Sequence, residues 1–339
     1  MISTRLSPAL VGLAEALDAL ITLTPPFAWS AARRGRTRGA VLAPDHLYRA
    51  ARRRIRTPLA DAAARALLRR VRPGNRVILM TGLVTPRIRR GETDGPPGAV
   101  ALARALILGL GAEVLVLTEA SVVPVIQRTA EALAVSEDDG VDWRAHLRVE
   151  AFPTDPLAAA EAGDALWLRG RPAALVSIEK LGPNVRGVIH TMRGEDVTAT
   201  QARVDCLFPL ARRHGVFSIG IGDRGNEIGL ESLLADHGRC ACPCGGGIAC
   251  AVRADVPVVA FSSNWGAHAV TSVLAARLGN SRLLHHPRSE ARMLRQMVRA
   301  GAVDGVTRER VPTVDGGPLA LQAALVGMLH ALLGSLPEP

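Results

Sequence analysis

The sequence predicts a layered α/β fold with a mostly parallel sheet, helices on both of its faces and a helical N-terminal segment. Short apolar segments alternate with segments of helical periodicity along most of the chain, which is typical of this class. A strand, a helix and another strand follow one another over residues 76–118, and this order favours parallel neighbours joined by a right-handed crossover. Of the 339 residues, 48% are hydrophobic, which is enough for a sizeable core. Together these observations indicate a Rossmann-like sheet.

The first 74 residues are predicted to form a basic helical segment that precedes an α/β domain over 75–339. Apolar residues recur at helical spacing over 7–23 and 44–71, and a flexible basic loop is expected at Ala32–Ala40. The turn Pro73-Gly74-Asn75 marks the expected boundary between the two parts.

The α/β domain contains six predicted strands, at 76–81, 114–118, 148–152, 174–179, 216–221 and 256–262. Helices are predicted at 97–110, 122–134, 200–214, 225–236, 267–278, 289–300 and 318–335. In open parallel sheets, ligands bind beyond the carboxyl ends of the strands. The residues that follow each strand are therefore the first candidates for a functional site.

Composition and charge exclude several function classes. Aromatic residues make up only 3% of the chain, which argues against stacking platforms for single-stranded nucleic acid. Residues 1–90 hold 18 Arg and four acids, so the net charge of +10 comes from the N-terminal part, away from the glycine-rich loops. Glu15 and Asp18 interrupt the apolar N-terminal stretch, which argues against a signal peptide or a membrane span. We expect a cytoplasmic protein whose partner is a small molecule and neither a nucleic acid nor a membrane, and we leave homo-oligomerisation open.

The five cysteines do not suggest a secreted disulfide framework, because their number is odd and three of them are crowded at Cys240, Cys242 and Cys244. The cluster invites a metal interpretation, with Cys250 and His237 as further donors. Zinc sites, however, usually combine two separated pairs of ligands. The favoured interpretation is therefore a surface loop, and no metal site is predicted.

Four predicted strands are followed by loops rich in acids, amides and glycines, namely Gly91–Gly98, Glu179–Asn184, Gly222–Glu227 and Ser263–Gly266. Glycine lets backbone N–H groups come close to a ligand, and helix N-termini attract anions. Because three of the four loops are expected to open a helix, we expect an anionic ligand. The acids Asp94, Glu179, Asp223 and Glu227 would either bind an ammonium group and transfer protons or hold a divalent cation.

Purely structural roles are open for the same residues. Asp94 and Asp223 can cap helices, and Glu227 can be an exposed acid in a first helical turn. Asn264 can be a cap and Trp265 a core residue. The chain lacks the G-x-S-x-G and G-x-x-x-x-G-K-[ST] patterns, which argues against α/β-hydrolase and P-loop chemistry. The segment 220–225 fits G-x-G-x-x-G, but no matching acid ends the next strand, so a dinucleotide site is not favoured.

Five motifs resemble the D-glutamate cyclase family in sequence and in order along the chain. They are Glu92–Ala99, Ser177–Glu179, Met192–Asp196, Gly220–Gly229 and Ser263–Gly266. The chain departs from the family pattern at Val188–Thr191, where members carry an aromatic pair, at Arg224, where many members carry glycine, and at the cluster Cys240–Cys244.

The resemblance implies a lyase whose catalytic domain, over 75–339, removes water from D-glutamate, or from a similar amino acid, to give 5-oxo-D-proline. Asp94, Glu179, Asp223 and Glu227 would then be catalytic. The substrate-binding residues would be Glu92, Thr93, Gly95, Lys180, Arg193, Gly225, Asn226, Ser263, Asn264 and Trp265. The cofactor is left unassigned, with a divalent cation open.

Two alternative functions, each of a different class, are open beside this interpretation. The first is another α/β enzyme that acts on a phosphorylated or nucleotide ligand with a divalent cation. The second is a binding protein that uses the basic segment 1–74 on nucleic acid. Metal dependence favours the first alternative, and steeply salt-dependent binding favours the second.

Overall fold

The computed structural model describes residues 8–26, 28, 44–137, 140–231, 233, 240 and 242–336. The basic loop predicted at Ala32–Ala40 lies outside the described residues. In the described part, no helix is both long and apolar enough to cross a membrane.

Six parallel strands form one sheet, in the order β3-β2-β1-β4-β5-β6. The strands are β1 Arg76–Met80, β2 Glu113–Thr118, β3 Leu147–Ala151, β4 Ala174–Ile178, β5 Phe217–Gly222 and β6 Val256–Val259. The chain builds outward from β1 in one direction and then returns to its other side with β4. The carboxyl ends of β1 and β4 therefore flank a topological switch point, which is where such sheets bind ligands. The predicted fold class is confirmed.

Ten α-helices cover both faces of the sheet in the described part of the chain. They are α1 Pro8–Ile21, α2 Pro44–Ile55, α3 Leu59–Arg70, α4 Pro96–Leu110, α5 Val123–Ser136, α6 Pro156–Leu168, α7 Leu207–Arg213, α8 Ser263–Leu278, α9 Pro287–Arg299 and α10 Leu319–Gly334. The alternation of side chains along β1 separates two cores, because Val77 and Leu79 face one cluster whereas Ile78 and Met80 face the other. Helices α6 and α7 cover the smaller core and the remaining helices the larger one.

The predicted helix over 44–71 is two helices, α2 and α3. The chain turns between them because Arg56 adopts a positive φ of 64° and because Pro58, which has no N–H and restricts the preceding residue, stands at the N-cap of α3. Helix α6 was not predicted. Its start carries a local signal, because the Asp155 side chain accepts a hydrogen bond from the amide of Ala158 at 2.9 Å and so caps the helix.

The predicted helix over 225–236 is wrong in its described part. Gly225 and Gly229 have φ values of 92° and 98°, which a right-handed helix cannot contain. The segment instead pairs with two distant parts of the chain, through an isolated bridge between Glu227 and Leu181 and another between Gly229 and Arg253. Only two of the four candidate segments therefore open a helix, namely Gly91–Gly98 at the start of α4 and Ser263–Gly266, which is the first turn of α8.

The N-terminal helices pack on the same core as the sheet. Leu17 of α1 and Leu67 of α3 are fully buried in the larger cluster. Asp18 of α1 accepts hydrogen bonds from the amides of Leu59 and Ala60 at 2.6 and 3.2 Å, and it supplies the first turn of α3 with an acceptor from a distant part of the chain. The division of the chain after residue 74 stays a prediction.

A buried network of charged groups joins α9 to α8 and α5. Glu290 of α9 lies 2.8 Å from His285 and 3.3 Å from His268, measured between its Oε2 and each Nε2. Glu137 lies 2.8 Å from the guanidinium of Arg104. Although burial raises the pKa of Glu290, the charges and hydrogen bonds of His268 and His285 lower it to about 2. Glu290 therefore stabilises the fold as a carboxylate.

We expect Glu290→Gln to flatten the loss of stability at acid pH. The pKa of Glu290 in the folded chain lies below its ordinary value of 4.5. Its stabilisation is therefore complete above pH 4.5 and is lost as the pH falls towards 2. We measure the free energy of unfolding by urea titration at pH 5 and at pH 3. The decrease between these two pH values should be larger in the wild type than in the variant, by more than about 1 kcal/mol. Glu131→Gln, at an exposed pair with Arg128, is the control and should follow the wild type; equal slopes for all three proteins would contradict the assignment.

Candidate active site

A cavity of about 150 Å³ lies beyond the carboxyl ends of the central strands. This volume is below the range of about 300–1,000 Å³ for drug-sized ligands, and it suits a small molecule. Six of the sequence-predicted residues line it, namely Glu92, Glu179, Arg193, Asp223, Asn226 and Glu227. They come from the loops after β1, β4 and β5, so these three loops meet at one site.

Eight other predicted residues, all within the described part of the chain, do not line the cavity. They are Thr93, Asp94, Gly95, Lys180, Gly225, Ser263, Asn264 and Trp265. Most of them form the wall behind it and hold the three loops in place.

Asp94 caps helix α8 from another part of the chain. Its Oδ1 accepts hydrogen bonds from the Asn264 amide and the Ser262 hydroxyl, both at 2.8 Å, and its Oδ2 accepts one from the Ser263 amide at 2.8 Å. Burial, followed by the charge of Asp315, raises the pKa of Asp94 to about 7, while the donors of α8 act in the opposite direction. Both oxygens are thus engaged, which is the structural role that the sequence left open for this residue.

Asn264 of α8 in turn forms hydrogen bonds to the loop that carries Asp94 and to the start of α4. Its Oδ1 accepts hydrogen bonds from the amides of Gly95 and Gly98 at 3.0 and 2.9 Å, and its Nδ2 donates to the carbonyl of Thr93 at 3.0 Å. Gly95 has a φ of 96°, and a Cβ there would lie 2.9 Å from the Cβ of Glu179. The loop after β1 therefore needs glycine at this close approach.

Two further predicted residues are structural in the same sense. The indole N–H of Trp265 donates to the side chain of Gln322 at 2.7 Å, within the core. Lys180 is fully buried, where its ammonium pairs with Glu119 and donates to the carbonyl of Gly82 at 2.9 Å. Neither residue reaches the cavity.

Glu179 lies on the cavity wall in an uncommon backbone conformation. Its φ is 48°, which costs a non-glycine residue free energy and often marks a functional position. Its Oε2 accepts a hydrogen bond from the hydroxyl of Ser263 at 2.6 Å. Burial, followed by the negative charges of Asp223 and Glu227, raises the pKa of Glu179 well above its ordinary value. These surroundings therefore favour the protonated form of Glu179.

Asp223 shares one cation with Asp315. The Arg224 Nε donates to Asp223 Oδ2 at 2.6 Å, and the same guanidinium lies 3.3 Å from Asp315. The other oxygen of Asp223, Oδ1, is buried without a hydrogen-bond partner. Burial raises the pKa of Asp223 well above its ordinary value, although Arg224 lowers it. A proton on Oδ1 would leave the contact with Arg224 intact.

Glu227 closes the loop that carries Asp223. Its Oε2 accepts the amide of Gly225 at 2.6 Å, and its Oε1 accepts the amide of Arg224 at 3.1 Å. The backbone thus wraps around a fully buried carboxylate. Next to it, Asn226 donates through Nδ2 to the carbonyl of His190 at 2.9 Å, whereas its buried Oδ1 has no partner.

Glu92 approaches a glycine in the connection between α9 and α10. A Cβ at Gly305 would overlap the Oε2 of Glu92, so the contact requires glycine. The Oε1 of Glu92 is buried without a partner. Burial, followed by the charge of Asp315, raises the pKa of Glu92 well above its ordinary value.

Of the three arginines that line the cavity, Arg193 and Arg308 lie at its rim, whereas Arg224 lies among the acids inside. The exposed guanidinium of Arg193 donates to the carbonyl of Val306 at 3.2 Å, and Arg308 pairs with Glu195 at 3.7 Å. A ligand with a carboxylate at one end and an ammonium at the other matches this polarity.

The acids are also close enough to hold a divalent cation. One oxygen each from Glu179, Asp223 and Glu227 lies within 4.8 Å of the others, and so does a set from Asp94, Asp223 and Asp315. Oxygen donors of this kind suit Mg²⁺ or Mn²⁺. The two carboxylate oxygens without partners, on Glu92 and Asp223, are available to a cation or to an ammonium group.

Sequence reasoning missed Asp315 and the contribution of Arg224. Asp315 lies after α9, far from any strand end, so the rule that led to the other loops did not reach it. Burial, followed by the charge of Asp223, raises the pKa of Asp315 well above its ordinary value. The signal was the Asp315-Gly316-Gly317 turn between two helices, where Asp315 has a φ of 52°.

Comparison with known proteins agrees with the motifs. The chain matches the family model described as "D-glutamate cyclase-like, C-terminal" over residues 27–330, and it belongs to this family. Mitochondrial D-glutamate cyclase of Homo sapiens is 32% identical over 192 residues, which are 54% of this chain and 29% of the human protein. The match therefore spans less than a third of that relative.

Proposed function

We propose that the chain is a D-glutamate cyclase-like lyase that dehydrates D-glutamate to 5-oxo-D-proline. The observation that carries the proposal is the cavity at the switch point, where five carboxyl groups and Arg224 line one small space in a chain of this family. The carboxyl groups belong to Glu92, Glu179, Asp223, Glu227 and Asp315. The compartment, for which the cytoplasm is the prediction, and homo-oligomerisation stay open.

The reaction forms one bond and breaks one bond without a change of oxidation state. The α-amino nitrogen attacks the side-chain carboxyl carbon, the new C–N bond closes a five-membered ring, and one carboxyl oxygen leaves as water. The ammonium group must lose two of its three protons and the leaving oxygen must gain two, while the ring nitrogen keeps the third. A site for this reaction therefore needs a base, an acid and a means of neutralising the attacked carboxylate.

The cavity supports this chemistry through its charge distribution. The ammonium group of the substrate would lie among the acids, close to the partnerless oxygen of Glu92. Its carboxylates would lie towards Arg224 and the rim residues Arg193 and Arg308. Ring closure requires the side-chain carboxyl to fold back towards the amine within this small cavity, and orientation of this kind supplies much of the rate of an intramolecular reaction.

Glu179 and Asp223 are the proposed proton carriers. Both are buried, and burial raises the pKa of each carboxyl group above its ordinary value, which favours a bound proton that can be transferred. Glu179 would take one proton from the ammonium group and pass it to the leaving oxygen. Asp223 would give that oxygen a second proton from Oδ1 and regain one from the nitrogen, so that two protons move from nitrogen to oxygen and both residues return to their starting state. Asp94, Asn264 and Glu227 are positioning residues, because their side-chain oxygens already accept backbone N–H groups.

We expect Asp223→Asn and Glu179→Gln each to lower kcat/KM for D-glutamate by about 10²–10⁴-fold, the usual contribution of a general acid or base. The measurement is chiral chromatography of D-glutamate, L-glutamate and 5-oxoproline after incubation with the purified chain. Glu161→Gln, an exposed acid of α6, is the control and should keep full activity. Full activity in both site variants with an unchanged Tm would exclude this assignment, and a wild type without activity on either enantiomer would exclude the function.

Gly305→Ala tests the placement of Glu92 without altering its charge. Gly305 does not have a positive φ, so alanine fits the backbone, but its Cβ would displace the carboxylate of Glu92. We expect kcat/KM to fall by at least about tenfold, since small displacements in an active site are costly. The matched control is Gly327→Ala in α10, where the nearest atom to the new Cβ lies 3.7 Å away. Equal activity of the two variants would show that Glu92 is not needed at this position.

A second candidate function is favoured by the acid triads. An α/β enzyme with a divalent cation on Glu179, Asp223 and Glu227 would act on a phosphorylated or nucleotide ligand. This alternative predicts that EDTA abolishes activity and that Mg²⁺ or Mn²⁺ restores it, with a thermal shift caused by nucleotides and none caused by amino acids. For the cyclase without a metal, EDTA leaves activity on D-glutamate unchanged.

A further inference from the structure

Three cysteines and one histidine converge on a single point outside the candidate active site. The Sγ of Cys240 lies 3.1 Å from that of Cys244 and 3.5 Å from that of Cys242. The Nε2 of His190 lies 3.0 Å from the Sγ of Cys242 and 3.8 Å from that of Cys244. All four donor atoms lie within 4.8 Å of one another.

We propose that His190, Cys240, Cys242 and Cys244 bind one zinc ion as a closed, four-coordinate structural site. Zinc bonds of about 2.3 Å to sulfur and 2.0–2.1 Å to nitrogen in a tetrahedron place sulfur atoms about 3.8 Å apart and sulfur and nitrogen about 3.6 Å apart. The observed separations differ from these by about 0.2 to 0.7 Å, and the two largest differences are separations that are too short, so an expansion of the cluster by less than about 1 Å admits the ion. Sulfur donors favour zinc over magnesium or calcium.

The surroundings of the cluster resemble those of a thiolate site. The backbone amide of Gly246 donates to the Sγ of Cys244 at 3.4 Å, and the Nδ2 of Asn184 donates to the same atom at 3.5 Å. Such N–H groups stabilise the negative charge of a metal-bound thiolate. Asn184 is itself fixed, because its Nδ2 also donates to the carbonyl of Gly247 at 2.7 Å.

The histidine is held in place from the opposite side. His190 is fully buried, its carbonyl accepts the side chain of Asn226 at 2.9 Å, and its backbone forms an isolated bridge with Asp196. The backbone of the histidine is therefore fixed before a metal binds. Binding would release three thiol protons and would leave the site with a net charge of −1.

The sequence pattern alone did not identify this site, because its histidine, His190, lies 50 positions before Cys240, the first cysteine of the cluster. The two other donors that the sequence suggested are not part of it: Cys250 is buried and accepts the amide of Val252 at 3.2 Å, and His237 lies outside the described residues. The site would fasten the segment around Cys240–Cys244 to the strand-like segment of His190. Thr191, Met192 and Arg193, which follow that histidine, line the candidate active site.

A disulfide is the competing use of the same atoms. A bond between Cys240 and Cys244 requires their sulfur atoms to close from 3.1 Å to about 2.05 Å. It also requires the loss of two protons and two electrons to an oxidant. Zinc binding requires no redox partner, and it uses all four donors.

The test is zinc content of the full chain, reduced, loaded with zinc and separated from free metal by gel filtration. We expect one zinc ion per chain by elemental analysis. Cobalt loading should give thiolate-to-metal absorption bands of a tetrahedral site. Cys242→Ser and His190→Ala should each weaken zinc binding by at least about tenfold in competition with a chelating dye. Cys206→Ser, a cysteine outside the cluster, is the control and should bind as the wild type does.

The proposal is overturned if the reduced wild type retains only a small fraction of one zinc ion per chain. It is also overturned if Cys242→Ser and His190→Ala bind zinc as the control does. If the chain before reduction shows three free thiols out of its five cysteines, two of them are joined in a disulfide. If it then binds no zinc after reduction, the cluster is assigned to that disulfide instead. None of these measurements depends on activity towards D-glutamate, so the zinc site and the proposed function stand or fall separately.

Discussion

The hydrogen bonds that Asp94 and Asn264 exchange with each other's helix hold the candidate active site together. Asp94, just before α4, accepts the first amides of α8, and Asn264, in the first turn of α8, accepts the first amides of α4. Each helix N-terminus thus receives its acceptor from the loop of the other, which satisfies backbone donors that would otherwise be buried without partners. This exchange fixes Ser263, whose hydroxyl then orients Glu179. The position of Glu179 therefore depends on a contact in which it takes no part.

Burial of several carboxyl groups beside one another is the second constraint on the site. In a region of low dielectric constant, the charged forms of Glu92, Glu179, Asp223 and Asp315 repel each other. Arg224 offsets part of this repulsion, since its guanidinium contacts two of these acids. The rest is relieved by bound protons, or by a cation from outside. A substrate ammonium or a divalent ion would both answer this need, which is why the two candidate functions share the same residues.

One physical reason explains why the sequence predicted both the fold and three of the loops that line the cavity. Short buried strands in a parallel sheet deliver their following loops to one edge, and Glu92, Glu179 and Asp223 follow β1, β4 and β5 there. The sequence could not show that Asp94 caps a helix whereas Glu92 lines the cavity. The two acids are only two positions apart, and what distinguishes them is the direction of their side chains. The sequence-based prediction was also wrong after β5, where Gly225 and Gly229 adopt positive φ values and the chain forms a loop in place of the predicted helix. Contacts of high sequence separation, such as that of Asp315 with Arg224, cannot be predicted from a local pattern, although the Asp315-Gly316-Gly317 turn marks an irregular segment there.

The irregular segment after β5 concentrates the chemistry of the molecule because it is not a helix. A helix from Gly225 would have turned its amides towards its own carbonyls, whereas the observed loop turns two of them onto Glu227 and lets Asn226 reach His190. Asn226 thus contacts the backbone of a residue in the cysteine cluster and, at the same time, lines the acid-rich cavity. The two sites differ in donor type, sulfur and nitrogen in one and oxygen in the other, so they would select different ions. An ion at the cluster would restrain His190 and, through its carbonyl, Asn226. The structural site would in this way support the wall of the cavity without contributing an atom to it.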